Sequence, residues 1–86
     1  IMYYVYLIKS IKHDISYIGC TNNLSKRLTE HNNGDSEFTK KYLPWKLIYF
    51  EGYRSEVDAY SREKSLKRYA QGLRRLKERL RDSLRA

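Results

Sequence analysis

The chain has one cysteine, one proline and no long apolar run. A lone thiol, Cys20, forms neither an internal disulfide nor a cysteine-rich zinc site, which agrees with a reducing compartment. Its plainest role is that of a small strand residue facing the core. No segment approaches the roughly 18 consecutive apolar residues of a membrane-spanning helix, and no basic stretch followed by an apolar core opens the chain. These absences point to a cytoplasmic protein without a membrane partner. Interdomain linkers, internal repeats and low-complexity stretches are also missing, so residues 1–86 read as one domain with one small core.

Negative charge is scarce as well. Ten acids face eighteen Lys/Arg, a net charge of +8. Residues 62–86 hold ten Lys/Arg and three acids, whereas residues 1–61 are nearly balanced, so the excess sits on the last quarter of the chain. A localised basic face suits a polyanion, with an acidic protein or lipid surface as the other options. Nucleic acid fits better than lipid, because no amphipathic segment ends in large aromatic anchors.

What the sequence does contain is ordered. Tyr3 to Ile8 and Ser16 to Cys20, rich in aromatic and β-branched residues, predict a hairpin turning at Lys12-His13-Asp14. Side-chain alternation puts Tyr4, Tyr6 and Ile8 on one face and Tyr3, Val5 and Leu7 on the other. Tyr17 and Gly19 share a direction, and the glycine leaves a gap that admits a backbone or phosphate, or else marks a bulge. Thr21-Asn22-Asn23 supplies capping side chains for a helix over Leu24 to Asn32, which Gly34 ends. Arg27 and His31, four apart, share one flank of it.

A loop carrying Lys40 and Lys41 leads to a strand from Trp45 to Phe50. Ser55 and Asp58 then open a second helix, predicted to run to about Gln71 with Gly72 as its stop. Leu73, Leu76, Leu80 and Leu84 trace the stripe of a third helix, a surface on which a protein partner could dock. On the second helix the apolar face passes through Ala59, Tyr60, Leu66 and Ala70, with Glu63 inside it. An inward carboxylate is costly unless it meets a cation, a hydrogen bond or a metal, and the bland reading is a salt bridge to Arg27 or Lys67. Tyr49 and Tyr60 read as core residues.

Tyr4-Val5-Tyr6, Tyr17-Ile18-Gly19, Arg27, His31 and Glu63, in this order, resemble the GIY-YIG nuclease family, from about Tyr3 to Arg68. The resemblance implies an α/β (α+β) domain of order β-β-α-β-α-α, a three-stranded antiparallel sheet flanked by helices. It implies a DNA endonuclease, structure-preferring or weakly sequence-specific, of the kind that serves DNA repair, with RNA not excluded. It points to Glu63 as the metal ligand, to a motif tyrosine as the base, with His31 relaying the proton, and to Arg27 on the scissile phosphate. Tyr6 is the expected base and Tyr17 the residue that orients the water or tunes Tyr6. No second carboxylate accompanies Glu63, which suits a single Mg²⁺ or Mn²⁺ completed by water and substrate oxygens. Lys64, Lys67, Arg68, Arg74 and Arg75, with Lys40 and Lys41, would hold the phosphate backbone, contacts that position but do not read sequence.

The chain departs from the pattern at three points. Tyr4 stands where the first motif has glycine, Cys20 where some members have lysine, and no asparagine follows Asn33. The last two motivate the alternative of a nucleic-acid-binding module without activity, and the Leu73 to Leu84 helix motivates the other, a partner-docking protein.

Overall fold

The three expected strands form one antiparallel sheet, with the first strand in the middle. The computed structural model describes residues 1–86, and its elements are β1 (Tyr3–Ser10), β2 (Ser16–Thr21), α1 (Leu24–Asn32), a 3₁₀ helix (Thr39–Tyr42), β3 (Trp45–Tyr53), α2 (Glu56–Arg68), α3 (Ala70–Arg79) and α4 (Arg81–Arg85). The sheet order is β2-β1-β3. Because β1 is central, both of its faces are buried and its alternation feeds two cores rather than one core and solvent. Val5 and Leu7 pack with Ile18, Ala59, Leu66 and Leu76 on one face; Tyr6, Ile8 and Trp45 pack on the other, with Leu24 and Leu28 of α1 against them. Each fully buried aliphatic side chain here contributes about 1.5–3 kcal/mol.

The helix boundaries follow their caps. The Asn23 side chain accepts from the Lys26 amide at 3.0 Å, and Ser55 accepts from Asp58 at 3.3 Å, each satisfying an orphan donor. Gly34, at φ +81°, turns the chain out of α1 in the left-handed region where a side chain is disfavoured.

The C-terminal region differs from expectation. The second helix stops at Arg68, Tyr69 is extended at φ −110° and ψ 107°, and Gly72 lies inside α3 rather than ending a helix. Leu76 is buried and Leu73 packs partly against the same core, so a fresh helix beginning at Ala70 serves the leucine stripe better than a straight continuation. The expected third helix is itself divided at Leu80. Tyr60 is 56% exposed, and its ring carries the Lys64 ammonium at 5.0 Å, so the inner stripe of α2 is Ala59, Glu63 and Leu66 without it. Ala70 is exposed too.

Tyr49 is half-buried for a reason other than packing alone. The Glu51 carboxylate accepts from Tyr49, Tyr53 and Arg62, the last through Nε and a terminal nitrogen at 2.9 Å each. Burial alone would raise the Glu51 pKa, but the hydrogen bonds from Arg62, Tyr53 and Tyr49, with the Arg62 charge, together outweigh it and hold the carboxyl below its usual range. This network fastens α2 to β3.

Candidate active site

Gly19 sits opposite Tyr6 in the hairpin register. A Cβ on Gly19 would stand 2.2 Å from the Tyr6 hydroxyl oxygen, far inside contact distance. The gap inferred from the sequence is real, but Tyr6 fills it, not a backbone or a phosphate. Gly19→Ala should therefore expel the phenol from its seat, costing about 1–3 kcal/mol as overpacking does. A thermal melt would show this as a Tm lowered by roughly 4–8 °C per kcal/mol; an unchanged melt would mean that Tyr6 has another place to go.

The seat leads to His31. Tyr6 Oη lies 2.8 Å from His31 Nε2, and His31 Nδ1 lies 2.9 Å from Thr39 Oγ1. All three side chains are buried, with exposures of 3% for Tyr6 and 0% for His31 and Thr39. Burial, helped by the Arg27 charge, lowers the His31 pKa, so the ring is neutral at pH 7. A neutral imidazole carries one proton; with it on Nδ1 and directed at Thr39, Nε2 accepts from the Tyr6 hydroxyl. Burial also pushes the Tyr6 phenol up to about 12, while Arg27 pulls it down. The Arg27 charge by itself would favour phenolate. Desolvation outweighs that pull.

The remaining expected residues close round this pair. Arg27 lies beside the Tyr6 hydroxyl and donates to Glu30 Oε1 at 3.0 Å. The Tyr17 ring meets His31 edge-on at 5.3 Å and stacks on Phe38 at 5.9 Å. Lys67 Nζ stands 5.3 Å from the centre of the Tyr17 ring and 2.9 Å from Glu63 Oε2. The Glu63 side chain is 14% exposed. Of its two bland partners Lys67 is the one found, and Arg27 takes Glu30 instead.

The expected backbone-binding cations are dispersed. Lys40, on the 3₁₀ helix with Lys41, pairs with Glu37 at 3.2 Å. Lys64, Lys67 and Arg68 lie on α2, while Arg74 and Arg75 of α3 line different concavities, one with Lys77 and Arg81, the other with Arg62 and Arg79. Thr39, Glu30 and Phe38 escape the sequence reading. Thr39 and Phe38 sit in an aperiodic loop, and Glu30 looks like any surface acid; only its position three residues after Arg27 hints at the pair.

A hairpin that seats a tyrosine against a histidine from the next helix, with an arginine and an inward glutamate alongside, has the layout of a small α+β catalytic domain. A family model described as the GIY-YIG catalytic domain matches residues 2–78, and the chain belongs to this family of nuclease domains. It is 44% identical over 68 residues to a UPF0213 protein of Clostridium perfringens, covering 78% of this chain and 72% of that one. To a UPF0213 protein of Streptococcus pneumoniae it is 45% identical over 53 residues, 60% of this chain and 54% of that one. A Staphylococcus haemolyticus relative, also a UPF0213 protein, is 35% identical over 80 residues, 90% and 96% of the two chains. The solution structure of the UPF0213 protein BH0048 from Bacillus halodurans superimposes with a TM-score of 0.54 at 25% identity, covering 95% of this chain and 84% of that one. No helix is long and apolar enough to cross a membrane.

Proposed function

We propose that this protein is a metal-dependent endonuclease that hydrolyses phosphodiester bonds in DNA with little sequence preference. The observation that carries the reading is the buried Tyr6–His31–Thr39 chain, a proton path with its outer end, Tyr6, beside the Arg27 cation and a neutral base, His31, behind it. With its pKa near 12, Tyr6 is ionised in roughly one molecule in 10⁵ at pH 7, too rarely to act as a preformed phenolate. Its oxygen instead takes a proton from the attacking water while its own passes to His31 Nε2, and the Thr39 bond holds the ring in place. Arg27 contacts the scissile phosphate and stabilises the charge of the transition state. Tyr17 orients the water.

The donor set fits one hard cation. No group of three or more His, Cys, Asp or Glu converges to hold a metal, so any such ion relies on Glu63 together with water and phosphate oxygens, as Mg²⁺ and Mn²⁺ commonly do. When bound there, the cation supplies positive charge to the phosphate and its leaving oxygen.

The test is cleavage of labelled duplex, single-stranded, flapped and branched DNA, with an RNA set alongside, in Mg²⁺ or Mn²⁺ and in EDTA. Cleavage restricted to the metal samples is the expected result; binding without cleavage in any sample would reduce the protein to a binding module. Neutralising about five phosphates gives a slope of roughly −4 to −5 for log affinity against log salt, and a flat dependence would remove the basic face from the interface.

A further inference from the structure

Beside the proposed catalytic centre lies a concavity that the proton relay leaves unused. It measures about 320 Å³ and is lined by Tyr17, Phe38, Leu66, Lys67, Leu73 and neighbouring β2 backbone. Phe38 is 44% exposed and stacks on Tyr17 with the rings 27° from parallel. Its position is not incidental, because the 3₁₀ helix that follows it carries Thr39, the residue bonded to His31. One short element thus holds the relay and displays an aromatic face at its mouth.

We propose that this concavity receives an unpaired nucleobase of the substrate strand, next to the scissile phosphate. The inference rests on the nuclease reading of Tyr6, His31 and Arg27 and adds to it the form of nucleic acid accepted. Three observations select a nucleobase over other planar or cationic ligands. The Tyr17 ring already carries the Lys67 ammonium at 5.3 Å, which disfavours a second cation and favours a flat group with a phosphate attached. The volume falls within the range of small-ligand sites, and its walls are apolar apart from Lys67 and Ser16. At Leu73 it adjoins a second concavity of about 460 Å³ that carries Arg74, Lys77 and Arg81 against one acid, Glu78, so the backbone leaving the seated base has a net cationic track along α3. A paired base inside a duplex offers no free face to this aromatic wall.

The experiment compares two DNA duplexes in EDTA, one fully paired and one with a single unpaired 2-aminopurine, titrated with the parent protein, Phe38→Ala and Phe38→Trp. The parent should bind the bulged duplex more tightly and quench its fluorescence by stacking. Phe38→Ala should weaken that complex by about 5- to 150-fold, the range for one lost base–aromatic stack, and leave the paired duplex unaffected. Phe38→Trp should keep the preference. Because Phe38 is exposed, its replacement leaves both cores intact, and circular dichroism checks this. Equal effects of Phe38→Ala on the two duplexes, or no quenching by the parent, would overturn the base pocket while leaving the nuclease reading standing. Failure of the parent to bind either DNA would bring down both.

Discussion

Tyr6→Phe lowers the DNA cleavage rate by about 10²- to 10⁴-fold with DNA affinity unchanged, the span usual for removal of a group that moves a proton in the transition state. The ring stays in its slot across Gly19, so only the hydroxyl is lost. That loss leaves His31 Nε2 buried without its partner, a cost of about 1–3 kcal/mol that a thermal melt registers separately from the rate. Single-turnover cleavage with the protein in excess of the DNA and well above the Kd distinguishes a lost chemical step from lost binding. A variant as fast as the parent would take Tyr6 out of the relay and leave Tyr17 as the group acting on water.

The same relay fixes a pH dependence. Burial lowers the His31 pKa, so the imidazole becomes charged only below its ordinary value of about 6.5. Parent cleavage should hold through neutrality and fall only as pH drops through that depressed value, where Nε2 no longer accepts a proton. Stability follows the same sign. A base whose folded pKa is depressed favours the folded state fully above its unfolded value, and loses that contribution as pH falls below about 6.5, because the unfolded chain then binds the extra proton.

Glu63→Gln should also abolish most cleavage, by about 10²- to 10³-fold or more, while duplex binding persists. The amide keeps the shape of the side chain and can still accept from Lys67, so α2 packs as before; what disappears is the negative charge. In the metal-free protein that charge is balanced by Lys67 at 2.9 Å, and a cation must displace the ammonium to reach the carboxylate. Lys67→Ala consequently moves the Mg²⁺ activation midpoint to lower concentration, whereas Glu63→Gln moves it upward or removes saturation. Cleavage by Glu63→Gln at the parental rate would exclude this carboxylate from metal binding.

The hairpin, α1 and β3 were legible in the sequence because their signals are local: aromatic and β-branched runs, Asn23 and Ser55 as caps, Gly34 as a stop. The C-terminal helices were less legible. Gly72 looks like a terminator, but tertiary packing of Leu73 and Leu76 places the break three residues earlier, at Tyr69. Motif order names Tyr6, Tyr17, Arg27, His31 and Glu63, and the fold gathers the first three round the ring of the fourth. Which partner each would choose was not readable, since Lys67 and Arg27 offered Glu63 the same charge. Thr39 was hidden for a different reason: it meets His31 only because the 3₁₀ helix after α1 turns back against α1, and an aperiodic segment betrays no such contact.

Gly19 bears on folding as well as on the site. Tyr6 lies across β2 only where there is no side chain beneath it. Sliding β2 by one residue would bring Ile18 or Cys20 under the phenol, and sliding it by two would bring Tyr17 or Thr21. Each of these alternative pairings sets a side chain where the phenol now lies, so the seated ring favours the observed register. The absent side chain at position 19 works as a key cut for one lock, tying the alignment of the hairpin to the seat of the phenol.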